Sequence, residues 1–323
     1  MAWDRSGDRS GKPDLAASAL RAQHRSEALA SRLPPLLVAA DRVASTVAQG
    51  VHGRRRVGTG ETFWQYRRYE IGDSATMIDW RQSGKSQPVF VRENEWEAAQ
   101  SVWLWHDASA SMDYRSAASL PTKRERAELL LLALAVLLVR GGERVSLLGS
   151  GVPPSGNKVT LNRMAMTLIE EQLPKTGLPK VPPLPRHAQA VLIGDLLSPL
   201  PEIHQTVASF SGRGVRGHLV QVLDPAEETL PFAGRVEFEG LEGEEELLIP
   251  RVEMIRQTYL ERLQAHRDGL AALARAAGWS FATHRTDRPP QTALLALHGA
   301  IAQERSLAPA QQPSRAPAQE PTS

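Results

Sequence analysis

Cysteine is absent from the 323 residues, which removes disulfides, thiolate metal sites and cysteine nucleophiles together and favours a reducing compartment, the cytoplasm. Excess charge of either sign is missing too. The 38 basic and 36 acidic side chains leave a formal charge of +2, a balance that offers no general attraction for nucleic acid or acidic lipid. No hydrophobic run reaches bilayer length. The strongest, LLLLALAVLLV at residues 129–139, is about half a membrane span and reads as a buried helix. The opening segment MAWDRSGDRSGKPDLAAS is polar and mixed in charge, so no signal peptide is expected there. Two catalytic fingerprints are lacking as well. Neither the nucleophile elbow G-x-S-x-G nor the phosphate loop G-x-x-x-x-G-K-[ST] occurs, so neither hydrolase chemistry is expected from such a motif.

What is present is ordinary for a globular chain: 41% hydrophobic and 23% charged residues, with length enough for a large core. The order of patterns predicts four parts. Residues 1–32 form a polar, flexible leader; 33–97 hold an amphipathic helix over 34–49 and a small β-rich lobe; 98–304 alternate strand and helix; 305–323, rich in Pro, Ala and Gln, form a disordered tail. Within the third part, apolar strands are predicted at 102–105, 144–148, 190–194, 217–223 and 279–283, with a short strand at 158–161. Helices are predicted at 122–140, 162–173, 201–210, 252–277 and 292–303. A turn is expected at Asp224-Pro225 and an inserted β-hairpin near 234–250. Alternating strand and helix mean an α/β fold with a mostly parallel sheet flanked by helices.

The segment SVWLWHDASASM at residues 101–112 carries the chemistry. An apolar strand ends in Asp107-x-Ser109-x-Ser111, and ligand sites of parallel sheets lie at strand C-terminal ends. One carboxylate and two hydroxyls at alternate positions are hard oxygen donors for a hard cation, Mg²⁺ or Mn²⁺. So little negative charge leaves the ion a position for a carboxylate from another protein. Asp195 ends a second apolar strand in the same way and is the natural second carboxylate. His106 alternates with Asp107 and should face the opposite side of the strand. A metal-dependent hydrolase using the same residues is the rival reading, for which His106 and Asp113 are the nearby base candidates. The lobe is basic and aromatic between Arg54 and Arg92, with Trp64, Tyr66, Tyr69 and Trp80 interleaved. Stacking on nucleic acid is one reading of it. Pairing of Arg67, Asp73, Asp79 and Arg81 within the lobe is the stronger one.

Phe63-x-x-Tyr66-Arg67-x-Tyr69-x-x-Gly72-Asp73-x-x-x-x-Ile78-Asp79-Trp80-Arg81, then Val91-Arg92-Glu93, then Asp107-x-Ser109-x-Ser111-Met112 resembles the bacterial domain-of-unknown-function 58 family. The loop itself is similar to the metal-ion-dependent adhesion site of von Willebrand factor A domains. That resemblance implies a von Willebrand factor A-like (Rossmann-like) domain in which Asp107, Ser109 and Ser111 contact the ion. A loop threonine and Asp195 would complete the sphere directly or through water. Thr176 is the best match for the threonine, with Thr160 and Thr167 as competitors. It also implies a non-enzymatic, Mg²⁺-dependent protein-interaction module, working with a MoxR-type AAA+ ATPase in protein-complex assembly or maturation.

Overall fold

The computed structural model describes residues 34–49, 63–69, 78, 80–84, 88–94, 100–170, 172–241, 243 and 246–307. A helix, α1 (residues 34–49), precedes β1 (Phe63–Arg68), the single turn α2 (Trp80–Ser83) and β2 (Phe90–Asn94). Then come β3 (Ser101–His106), α3 (Lys123–Arg140), β4 (Arg144–Leu147), α4 (Lys158–Ile169), β5 (Gln189–Gly194) and α5 (Leu200–Ser211). The chain continues through β6 (Arg216–Leu223), α6 (Pro225–Thr229), β7 (Val236–Phe238), β8 (Leu247–Ile249), α7 (Glu253–Ala276), β9 (Ser280–Arg285) and α8 (Pro290–Leu307).

Five strands form one parallel sheet in the order β4-β3-β5-β6-β9, the mixed α/β architecture expected. Alternate residues feed two cores, as the two-residue period of a strand requires. Val102, Leu104, Val191, Ile193, Val220 and Val222 meet α3, α4, α8 and α1 on one face. Trp105, Ala190, Leu192 and Leu219 meet α5 and α7 on the other. Helix α3 is apolar nearly all round because it is covered nearly all round, with Leu130 to Leu138 buried without interruption. Thr122 starts it through a reciprocal capping box with Glu125. Helix α1 packs Ala40, Val43, Ala44 and Val47 into the same core, and Arg140 on α3 reaches Asp41 at 2.5 Å. Strands β1 and β2 pair antiparallel as a separate ribbon, and β7 with β8 form the expected hairpin. Among the described residues no helix is long and apolar enough to cross a membrane.

Two local expectations are corrected. Residues 158–161 are not a strand but the first turn of α4, because the Asn157 side chain accepts from the Thr160 amide at 2.8 Å and caps a helix there. Asp224-Pro225 is not a simple turn: Asp224 caps α6 in a second reciprocal box with Glu227, with Pro225 in the N-terminal position that proline suits. Helix α8 also runs past the boundary at 304. The expectations for the leader and for the tail beyond 307 lie outside the described residues, as do Asp73 and Asp79, the expected partners of Arg67 and Arg81.

Two buried histidines on β6 and β9 contribute to a dependence of stability on pH. His218 on β6 is wholly buried, its Nδ1 2.7 Å from Ser280 Oγ, and His284 on β9 is also buried. Burial pulls both down to about 4, helped at His284 by Arg126. Between pH 6.5 and 4 the unfolded chain takes up protons that the native protein refuses, so stability is whole above 6.5 and falls as pH falls through this window. Each histidine contributes a loss of about 3 kcal/mol by pH 4. Urea midpoints measured from pH 7 to 4 are expected to drop steeply, and a flat profile would contradict this.

Candidate functional site

The strand order sets the location. From β3 the chain moves to one side, to β4, and then returns past β3 to β5, so β3 and β5 are neighbours whose connections diverge. A crevice forms at the C-terminal ends of such a pair. The parallel register pairs His106 with Ile193, and the Asp107 amide donates to the Ile193 carbonyl at 2.8 Å. Asp107 and Asp195 therefore leave the sheet at the same rim.

Four of the five predicted residues come together there. Asp107 is 1% exposed. Its Oδ1 accepts from the Ser109 amide at 2.8 Å and from Ser109 Oγ at 2.6 Å. Ser109 Oγ lies 3.1 Å from Ser111 Oγ, and Ser111 Oγ donates to Asp195 Oδ2 at 2.7 Å. A continuous line of oxygens thus joins the two carboxylates. Arg124 braces the loop from behind, donating to the Ala108 and Ser109 carbonyls at 3.2 and 3.1 Å and pairing with the exposed Asp113. Past Asp195, Leu196 is buried with φ of 51°. That left-handed backbone is strained for a branched side chain, and it is pinned by Gln221, which donates to the Asp195 carbonyl at 2.9 Å, while His266 Nε2 lies 2.7 Å from the Leu196 carbonyl.

The fifth residue is nearby but turned away. Thr176 is exposed, and its hydroxyl donates to the Leu178 carbonyl at 2.9 Å. It is the next residue that faces the site: a Cβ on Gly177 would stand 3.8 Å from Asp107 Oδ2. Thr160 donates to its own cap, Asn157, at 2.9 Å, and Thr167 to the Arg163 carbonyl at 3.0 Å. His106 keeps its Nδ1 3.0 Å from the Asp107 carbonyl, and burial pulls it down to about 4.

The residues present suit a small cation. Gly194 brings β5 so close that a Cβ there would lie 3.1 Å from Asp107 Oδ2, so Gly194 and Gly177 leave a cradle around that oxygen. The donors are carboxylates and hydroxyls, the set that Mg²⁺ and Mn²⁺ prefer. Among the described residues no group of three or more His, Cys, Asp or Glu is arranged to hold an ion, so hydroxyls are half of this donor set.

Three participants escaped the sequence reading. Lys123 is 1% exposed and donates to Asp195 Oδ2 at 3.0 Å and to Glu227 Oε1 at 2.6 Å. Gly194 reads only as the end of an apolar strand. Glu227 had a signal, the D-P-A-E spacing of a capping box, which fixes α6 over the rim.

This fold and site define a parallel α/β protein with an oxygen-lined cluster at its topological switch point. The chain belongs to the family described as protein of unknown function DUF58, whose model matches residues 65–269. Uncharacterized proteins of Mycobacterium tuberculosis and Mycobacterium bovis are each 25% identical over 282 residues, spanning 80% of this chain and 86% of theirs. Among solved structures, the conserved hypothetical protein BatB from Bacteroides thetaiotaomicron aligns over 65% of this chain and 100% of its own, with 13% identity and a TM-score of 0.42. An aerotolerance-related membrane protein from Bacteroides fragilis aligns over 64% of this chain and 100% of its own, with 15% identity and a TM-score of 0.39.

Proposed function

We propose that this protein is a non-enzymatic, Mg²⁺- or Mn²⁺-dependent protein-interaction module of the cytoplasm, with a von Willebrand factor A-like adhesion site at Asp107, Ser109, Ser111 and Asp195. The observation that supports it is the unbroken line of oxygen contacts from Asp107 through both serines to Asp195. A bound divalent ion would supply a Lewis-acidic position able to take a carboxylate from a partner. The chain's own part is to orient the hydroxyls, through Arg124 behind the loop, and to keep Asp107 buried and aligned. The partner favoured by the family resemblance is a MoxR-type AAA+ ATPase, with this chain as its adaptor in assembling or maturing a protein complex.

Mn²⁺ titrated into the purified full chain is expected to bind one equivalent with a Kd between about 10 µM and 1 mM, the range of sites with few charged ligands. The purified ATPase from the same organism should then bind in the presence of Mg²⁺ and dissociate when chelator is added. No uptake of either ion by calorimetry would end this reading. Uptake with chelator-insensitive ATPase binding would end the adaptor half of it.

A further inference from the structure

The end of the sheet opposite the cation site carries a different chemistry. Residues 173–194 and 203–223, which hold β5 and β6 with the loops that feed them, contain five lysines and arginines and no aspartate or glutamate. A cavity of about 690 Å³ lies where the two loops meet, with Val181, Leu184, Arg186, Arg213 and Gly214 in its wall. The loops are tied to each other: Arg213 Nη1 donates to the Pro182 carbonyl at 2.9 Å, and the His187 amide to the Gly214 carbonyl at 3.2 Å. Leu184 is buried in the core on the α5 and α7 side and gives the cavity an apolar floor. Arg186 is exposed, and its guanidinium has no hydrogen-bond or ion-pair partner among the described residues. Apolar floor and spare guanidinium together suit a carboxylate carried beside an apolar side chain.

This chain exposes such a segment at its other end. Between residues 235 and 255 seven glutamates stand against two arginines, a local balance of −5 in a protein whose total is +2. Within the β7–β8 hairpin, Glu237, Glu239 and Glu246 are exposed, and their carboxylates have no partner among the described residues. Leu247 is 60% and Leu248 43% exposed, and Glu237 pairs with Leu248 across the ladder. The hairpin is fixed at the C-terminal rim of the sheet. The Val252 amide donates to the Gly234 carbonyl at 3.0 Å, and Arg256 donates to the Leu230 and Phe232 carbonyls at 2.9 and 2.6 Å. The eight residues of β6, about 26 Å of strand, separate this rim from the cavity, so the hairpin does not reach the cavity of its own chain.

We infer that the cavity at Arg186 and Arg213 is a docking site for the acidic, leucine-bearing β7–β8 hairpin of a second copy of this chain. Arg186 takes a hairpin carboxylate, and Leu247 or Leu248 covers the apolar floor. The two surfaces differ, so the contact is head-to-tail: copies joined this way form a row, or a ring where the rotation closes. It stands apart from the cation reading, because neither surface includes Asp107, Ser109, Ser111 or Asp195.

Sedimentation of the full chain in chelator, at about 100 µM where weak interfaces are populated, tests this. At low salt the weight-average mass is expected to exceed the 35.4 kDa of one chain, to rise with concentration and to fall as salt shortens the reach of exposed charges. Two variants remove one surface each: Arg186→Glu in the cavity, and Glu237→Lys/Glu239→Lys/Glu246→Lys in the hairpin. These are exposed side chains, so melting temperatures should stay near wild type, and Arg186→Ala with Leu247→Ser/Leu248→Ser is the milder pair if either charge reversal does not fold. Each variant alone should associate at least about tenfold more weakly than wild type. An equimolar mixture of the two reversals should form dimers and stop there, because the hairpin of Arg186→Glu still fits the cavity of the triple variant and no further copy can add. Wild type that stays monomeric at low salt overturns the inference. So does a variant that self-associates as wild type does, or a mixture that yields only monomers.

Discussion

Asp107→Ala is expected to weaken Mn²⁺ binding at least about 100-fold, equivalent to about 2.7 kcal/mol. Asp107 is buried at the rim, and its Oδ1 already organises the loop by accepting two bonds from Ser109. Removing it takes away a carboxylate that would face an ion at the proposed site. It also strands a buried amide and a buried hydroxyl, at a cost of about 1–3 kcal/mol each. Asp107→Asn separates the two effects. The amide is isosteric and its oxygen can still accept from Ser109, so stability should change little while the ion is lost. Calorimetry with Mn²⁺ beside thermal melts in chelator reads both quantities. An Asn variant that binds the ion as well as wild type would remove Asp107 from the site.

Gly194→Ala should damage fold and site together. The added Cβ would lie 2.7 Å from the Asp107 Cβ and 3.1 Å from its Oδ2. Neither carbon can swing aside, since both sit next to backbone joined by the 2.8 Å bond from the Asp107 amide to the Ile193 carbonyl. Strands β3 and β5 must part at the rim, an overpacking cost of about 2–3 kcal/mol. Gly217→Ala is the control. Its Cβ would meet the Trp279 ring at 2.6 Å, in the core on the α5 and α7 side, so a comparable loss of stability should come with unchanged Mn²⁺ affinity. Equal loss of affinity in both variants would mean that the ion responds to general loosening and not to the spacing at Gly194.

The sheet was legible because buried parallel strands are written as continuous apolar runs, and SVWLWH, QAVLIG and RGHLVQVL each end at a polar change of composition. Asp107 and Asp195 were legible for the same reason: each is the first carboxylate after such a run. Lys123 was not. In the string KRERAE it reads as one charge among several on a solvated first turn, and only the packing of α3 over the β3–β5 crevice turns that residue inward. The Val159–Leu161 stretch alternates like a strand, and a single capping bond from Thr160 to Asn157 decides for helix. Thr176 was located to the right loop, but spacing alone does not say which of two adjacent residues, Thr176 or Gly177, faces the carboxylate.

Ser111 and Asp195 are 84 positions apart along the chain and meet only across the seam between two strands. The denatured polypeptide therefore holds no counterpart of this grip, and any ion captured there is a ligand of the native form alone. At a free concentration one hundred times the Kd, such capture deepens the folding free energy by about 2.7 kcal/mol. An ion bound at the proposed site would then also slow proteolysis of the molecule, quite apart from whom it binds.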